Sequence, residues 1–126
     1  MKAVLTSDAP KPLGHYSQAT VHGGLVFVAG QLALDPRTGE KRISSIEEET
    51  EQVLKNIAAI LKAAGSDIDL VLKTTVYLSD MTLWARANAV YARFFGEHRP
   101  ARAAVPVKNL PQGFRIEIEA VAAVAR

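Results

Sequence analysis

Arg102 stands among alanines in "RPARAAVPV", residues 99–107, where Val105 and Val107 mark a strand, and Glu117 stands in "FRIEIEAVAAV", residues 114–124. An arginine held in a partly dry crevice suits a carboxylate or phosphate, because its planar fork offers two parallel charged hydrogen bonds. A glutamate nearby could orient or deprotonate water. The same residues admit a structural account, in which Arg102 pairs with Glu117 or Glu119 across adjacent strands, or all three face solvent. Residue types alone favour that structural account.

Other groups offer less chemistry. His15, His22 and His98 lack metal-ligand spacing and read as loop or surface residues. The chain has no cysteine, which excludes disulfides, thiolate zinc sites and thiol catalysis. Ser17 and Ser79 have no evident base, and "VHGG" is not a phosphate-binding fingerprint. Asn88 falls inside a predicted helix, where its low propensity would be offset by a side-chain bond to a neighbouring loop. Packing is the role expected of Trp84, Tyr91, Phe94 and Phe95.

The elements that must carry these residues follow from patterning. The 126 residues are 48% hydrophobic and 22% charged, as expected for one soluble domain spanning residues 1–126. The net charge is only +2 and the basic residues are scattered, so a nucleic-acid footprint is not expected. The opening "MKAVLTSDAP" lacks the apolar core of a signal peptide, and no apolar run approaches a membrane span. The expected location is the cytoplasm.

Leu25 to Ala29 reads as a strand apolar on both faces, with Leu25, Phe27 and Ala29 on one and Val26 and Val28 on the other. "DPRTGE", residues 35–40, is turn chemistry. Ser45 can cap a helix while Glu48 bonds back to close a capping box, and Glu47, Glu48 and Glu49 suit the positive helix end. Val53, Ile57, Ile60, Leu61 and Ala64 continue that helix to a stop at Gly65. A strand at 71–78 places Leu72, Val76 and Leu78 on one face. A second helix over 82–95 carries a stripe of Leu83, Trp84, Ala87, Val90, Tyr91 and Phe94. In the last strand Ile116, Ile118 and Ala120 face one way and Arg115, Glu117, Glu119 and Val121 the other.

Two helices cover one side of such a sheet, yet the Leu25 to Ala29 strand asks for cover on both. Arg102 and Glu117 are expected on or at the rim of this second face. Another copy of the chain is the simplest cover, and the alternative is that residues 1–20 fold over it.

The ordered segments "APKPLGHYSQA", "VFVAGQLALDPRTGE", "NIAAILKAAGSDIDLVLKTTVYLSDM", "ANAVYARFFGEHRPARAAVPV" and "LPQGFRIEIEAVA" together resemble the RidA family of reactive-intermediate imine deaminases, formerly called YjgF. The resemblance spans nearly the whole chain. It implies an α+β, chorismate-mutase-like fold: one domain with a mixed sheet, two helices on one face and assembly as a homotrimer around a barrel-like core. It further implies sites in clefts between subunits, and hydrolysis of enamines and imines such as 2-aminoacrylate to 2-keto acids and ammonia without a cofactor or metal.

Carried across by resemblance, the carboxylate-binding arginine falls on Arg102, the water-positioning glutamate on Glu117, the N-terminal tyrosine on Tyr16 and the glycine after the buried strand on Gly30. Two positions depart: Ala29 stands where many active members have serine, and Ala104 where they often have cysteine. The lost hydroxyl removes a hydrogen bond of about 1 kcal/mol, while the Ala104 backbone can still bond a ligand. These departures favour the rival reading, a non-catalytic trimeric module that binds small carboxylates or a protein partner. An endoribonuclease or translation inhibitor ranks below both, since no histidine pair or basic stripe is present.

Overall fold

A computed structural model describes residues 1–126. Six strands form one sheet: β1 (Lys2–Val4), β2 (Ala19–His22), β3 (Leu25–Gln31), β4 (Val71–Leu78), β5 (Ala101–Pro106) and β6 (Ile116–Ala123). Their spatial order is β1-β2-β3-β6-β4-β5. Only β4 and β5 run parallel, as the α2 (Trp84–Phe95) connection between them requires. Helices α1 (Ile46–Ala63) and α2 pack on the same side of the sheet.

The apolar stripes explain that layer. Val53, Leu54, Ile57, Ile60 and Leu61 of α1 bury against Val26, Val28, Val76, Ile116 and Ile118 of the sheet. Ser45 caps α1 by accepting from the Glu48 N–H at 3.0 Å. The expected return bond from the Glu48 side chain does not form, so the capping box is half made. Its neighbour Glu49 is fully buried and holds the start of β6, accepting from the Arg115 and Ile116 N–H groups and from Arg115 Nε at 2.7 Å.

Two face assignments, one in a strand and one in a helix, need correction. Opposite Ala122 and Val121, β4 carries an extra residue, and this bulge turns Val71 into the core and leaves Leu72 half exposed. In α2 the buried residues are Ala87, Val90, Tyr91 and Phe95, while Leu83, Trp84 and Phe94 are only partly covered. A single turn of 3-10 helix at Met81–Leu83 precedes α2 and rotates its start.

The other sheet face is bare. Phe27 is 45% exposed at its centre. Residues 1–20 do not cover it: their ends become β1 and β2, which lengthen the sheet beyond β3. The intervening loop lies only over the Gly30 end of the face, with Gln18 buried and bonded to Thr6, Ala9 and Pro10 to hold the loop closed.

Candidate active site

Two clusters of polar groups stand apart in one chain. The first forms where β3 and β6 meet on the bare face. Between Val28 and Gln31, β3 carries one residue more than β6, so Ala29 and Gly30 bulge past Glu119. Glu117 uses the space: a Cβ built on Gly30 would lie 2.0 Å from Glu117 Oε2 and 2.9 Å from its Cδ. Any side chain there would displace the carboxylate of Glu117 from the position it holds. Tyr16, Gly30 and Glu117 share a cavity of about 380 Å³ with Ala29, Leu32 and Pro111 in its walls. Tyr16 is half exposed at its mouth and accepts weakly from the Leu13 N–H at 3.4 Å.

No protein group donates a hydrogen bond to the carboxylate of Glu117. Burial pushes its pKa above the ordinary value of 4.5, and the charge of Glu119 adds to the rise. Such a group is a better base than a surface carboxylate.

The second cluster surrounds Arg102, which was expected on the bare face or at its rim; it lies on the edge strand β5, but its side chain turns away from that face. In the parallel β4–β5 ladder Arg102 is opposite Thr74, a buried core residue, so its side chain goes to the helix side. Glu117 is opposite Tyr77, whose side chain takes the other face. With β4 between β5 and β6, the ion pair from Arg102 to Glu117 or Glu119 does not exist.

Arg102 reaches α2 instead. Its Nη1 donates to Asn88 Oδ1 at 2.7 Å, and its guanidinium carbon lies 4.7 Å from the Trp84 ring centre and 4.8 Å from that of Tyr91. Tyr91 is fixed in turn by Thr74, hydroxyl to hydroxyl at 2.7 Å. Every one of these partners is neutral. They orient the cation without cancelling its charge, leaving the rest of the fork for an anion. A cavity of about 550 Å³ adjoins it, lined also by His98 and Arg99.

Ala104 lies on the same strand as Arg102, at the free edge of the sheet. The Val107 N–H bonds the Leu78 carbonyl. By strand alternation the Ala104 N–H therefore points off the open edge, away from β4. Pro106, which has no N–H to offer, occupies an equivalent outward position.

Sequence reasoning missed the cradle of Arg102. Asn88 was expected to bond a loop, and Trp84 and Tyr91 to pack; all three hold the guanidinium. The signal available was their spacing, since positions 84, 88 and 91 share one helical face.

Gly30→Ala provides a local test of the first cluster. The added methyl must displace the Glu117 carboxylate, the flexible end of its side chain, so turnover should fall about 10- to 100-fold with little change in unfolding midpoint. Steady-state kinetics alongside thermal denaturation would check this, and parental turnover would contradict it.

Residues 6–124 match the family described as Endoribonuclease L-PSP. The chain is 52% identical to a RutC family protein of Pyrococcus horikoshii over 121 residues, 96% of each chain. It is 46% identical over 121 residues to 2-iminobutanoate/2-iminopropanoate deaminase of Rattus norvegicus, covering 96% of this chain and 88% of that one. Among solved structures, E. coli TdcF with bound serine superposes with a TM-score of 0.95 at 36% identity, covering 99% of this chain and 100% of that one.

Proposed function

The chain belongs to the RidA family, and on that premise we propose that it is a hydrolytic deaminase converting carboxylate-bearing imines and their enamine tautomers to 2-keto acids and ammonia. The observation that carries this reading is a pair of half-sites: a half-buried carboxylate beside a cavity on the bare face, and an unneutralised guanidinium on the helix side at the β5 edge. Neither suffices alone. The bare face around Phe27 and the free edge of β5 supply the means to join them, because a second copy packing there brings Arg102 of one chain to Glu117 of another. A homotrimer closed about these faces is the proposed assembly.

In the assembled cleft Arg102 holds the substrate carboxylate by two parallel hydrogen bonds, and the outward Ala104 N–H offers a further donor. This fixes the imine carbon relative to a water beside Glu117. The water oxygen adds to that carbon as Glu117 takes a water proton and passes it to nitrogen. The carbinolamine then collapses: Glu117 relays its hydroxyl proton, the second from the water, to nitrogen, the carbon–nitrogen bond breaks, and ammonia leaves the keto acid. Tyr16 closes the mouth. Each step uses side chains of the protein and water, consistent with chemistry that needs no cofactor.

The relatives' names support the reaction class, and the serine bound to E. coli TdcF shows an α-amino carboxylate held by that relative. The non-catalytic reading keeps one observation of its own, the methyl groups of Ala29 and Ala104 where hydroxyl and thiol are usual.

A coupled assay separates the two readings. An amino-acid oxidase generates imines in situ, and their decay is followed with and without the protein. Accelerated decay of 2-iminobutanoate or 2-iminopropanoate is expected. Catalysis should also fail as pH drops through the Glu117 pKa, since the protonated acid cannot accept from water. Because burial and Glu119 raise that pKa, the acid limb of kcat/KM is expected above 4.5. Ligand binding without turnover would decide for the rival, and a limb at or below that value would remove Glu117 as the titrating base.

A further inference from the structure

Glu117 borders two cavities. One is the 380 Å³ space shared with Tyr16, and the other is a cavity of about 260 Å³ lined by Gly30, Tyr77, Leu110, Glu117 and Glu119. A carboxylate between two openings needs something to decide which it enters. Gly30, in the wall of both, leaves room for the carboxylate by having no side chain but does not choose between them. The second holds a fixed charge, since the Tyr77 hydroxyl donates to Glu119 Oε1 along the diagonal of the β4–β6 ladder, two pairs from the Tyr77–Glu117 position.

Resting on the deaminase reading, we propose that Tyr77 and Glu119 are positioning residues for Glu117: the hydroxyl anchors a carboxylate on its far side, which repels the Glu117 carboxylate toward the larger cavity. Glu117 and Glu119 are two residues apart on one strand face, so their charges are neighbours. Without the Tyr77 donor, Glu119 would lose its anchor and its repulsion of Glu117 would fade. The remaining ionisable groups facing Glu117 are Tyr16 and Lys11 from the N-terminal loop, which line the larger cavity. Lys73 of β4 lies beside Glu119 in a separate hollow with Phe27 and Val121. None lies between the two glutamates.

The arrangement gives Glu119 two effects on the reaction. Its charge holds Glu117 in place and makes it a stronger base, so it acts through Glu117. Glu119→Gln should therefore move the acid limb of kcat/KM to lower pH, while burial keeps it above 4.5. It should lower kcat at neutral pH about 5- to 20-fold with KM unchanged within about twofold. Tyr77→Phe, which keeps the ring, should move the limb the same way by less. Glu119→Asp, which keeps the charge, should leave the limb near the parental position. If Glu119→Gln fails to assemble by sedimentation velocity, Tyr77→Phe carries the test.

Limbs and kcat values of Glu119→Gln and Tyr77→Phe that coincide with the parent would overturn the proposal, as would losses confined to KM. Failure of the underlying reading looks different: there, Glu117→Gln itself would turn imine over at the parental rate. An inactive Glu117→Gln beside a parental Glu119→Gln removes the positioning role alone.

Discussion

Replacement of Arg102 by alanine is expected to lower kcat/KM for 2-iminobutanoate by about 10²- to 10⁴-fold while leaving the fold intact. The magnitude follows from what is removed. Two charge-assisted hydrogen bonds to a substrate carboxylate are lost, each worth about 1.5–3 kcal/mol. The structural cost is smaller: Arg102 is exposed on an edge strand, and its stacking on Trp84 and Tyr91 contributes roughly 0.5–1 kcal/mol at such a site. Arg102→Lys should recover only part of the loss, since an ammonium neither pairs in parallel nor stacks in the same cradle. Steady-state kinetics on imines generated in situ, with titration of a small carboxylate ligand, would check both variants. An Arg102→Ala protein within twofold of the parent in both measurements would remove the role assigned to it.

Glu117→Gln carries the second large effect, and its signature differs. The amide fills the same space against Gly30, so the cleft keeps its shape, but it cannot take a proton from water. A fall in kcat of about 10²- to 10⁴-fold is expected, the range of a lost general base, with carboxylate-ligand affinity changed less than about threefold. Binding and turnover falling equally would mark Glu117 as structural.

Much of this architecture was legible because its signals are periodic. The alternation of Ile116, Ile118 and Ala120 against Glu117 and Glu119 placed β6 with its faces correct, and Ser45 marked the start of α1. The strand from Leu25, apolar on both faces, anticipated the bare surface that the structure shows around Phe27. Tyr16, Gly30 and Glu117 do converge on one cavity.

What escaped has physical reasons. The side chosen by Arg102 is set by the phase of β5, and "ARAAVP" is too uniformly small for alternation to reveal it. Bulges are equally silent: the extra residue in β4 exchanged the expected places of Val71 and Leu72, and the one in β3 brought Gly30 against Glu117. Glu49 looked like an ordinary acidic residue in a first helical turn. Its burial depends on Arg115 and the start of β6, 66 positions away, which local pattern cannot show.

The central claim is that catalysis requires Arg102 from one chain and Glu117 from another, and mixing two inactive variants measures it directly. Arg102→Ala and Glu117→Gln chains are unfolded together in equal amounts, refolded, and assayed against each variant refolded alone. Where subunits combine at random, an interface receives an intact Arg102 from one side and an intact Glu117 from the other about one time in four, whatever the number of subunits. Recovery of about a quarter of parental activity is the predicted result. Activity no greater than the sum of the separate variants, in a mixture shown to contain both chains in one assembly, would contradict it.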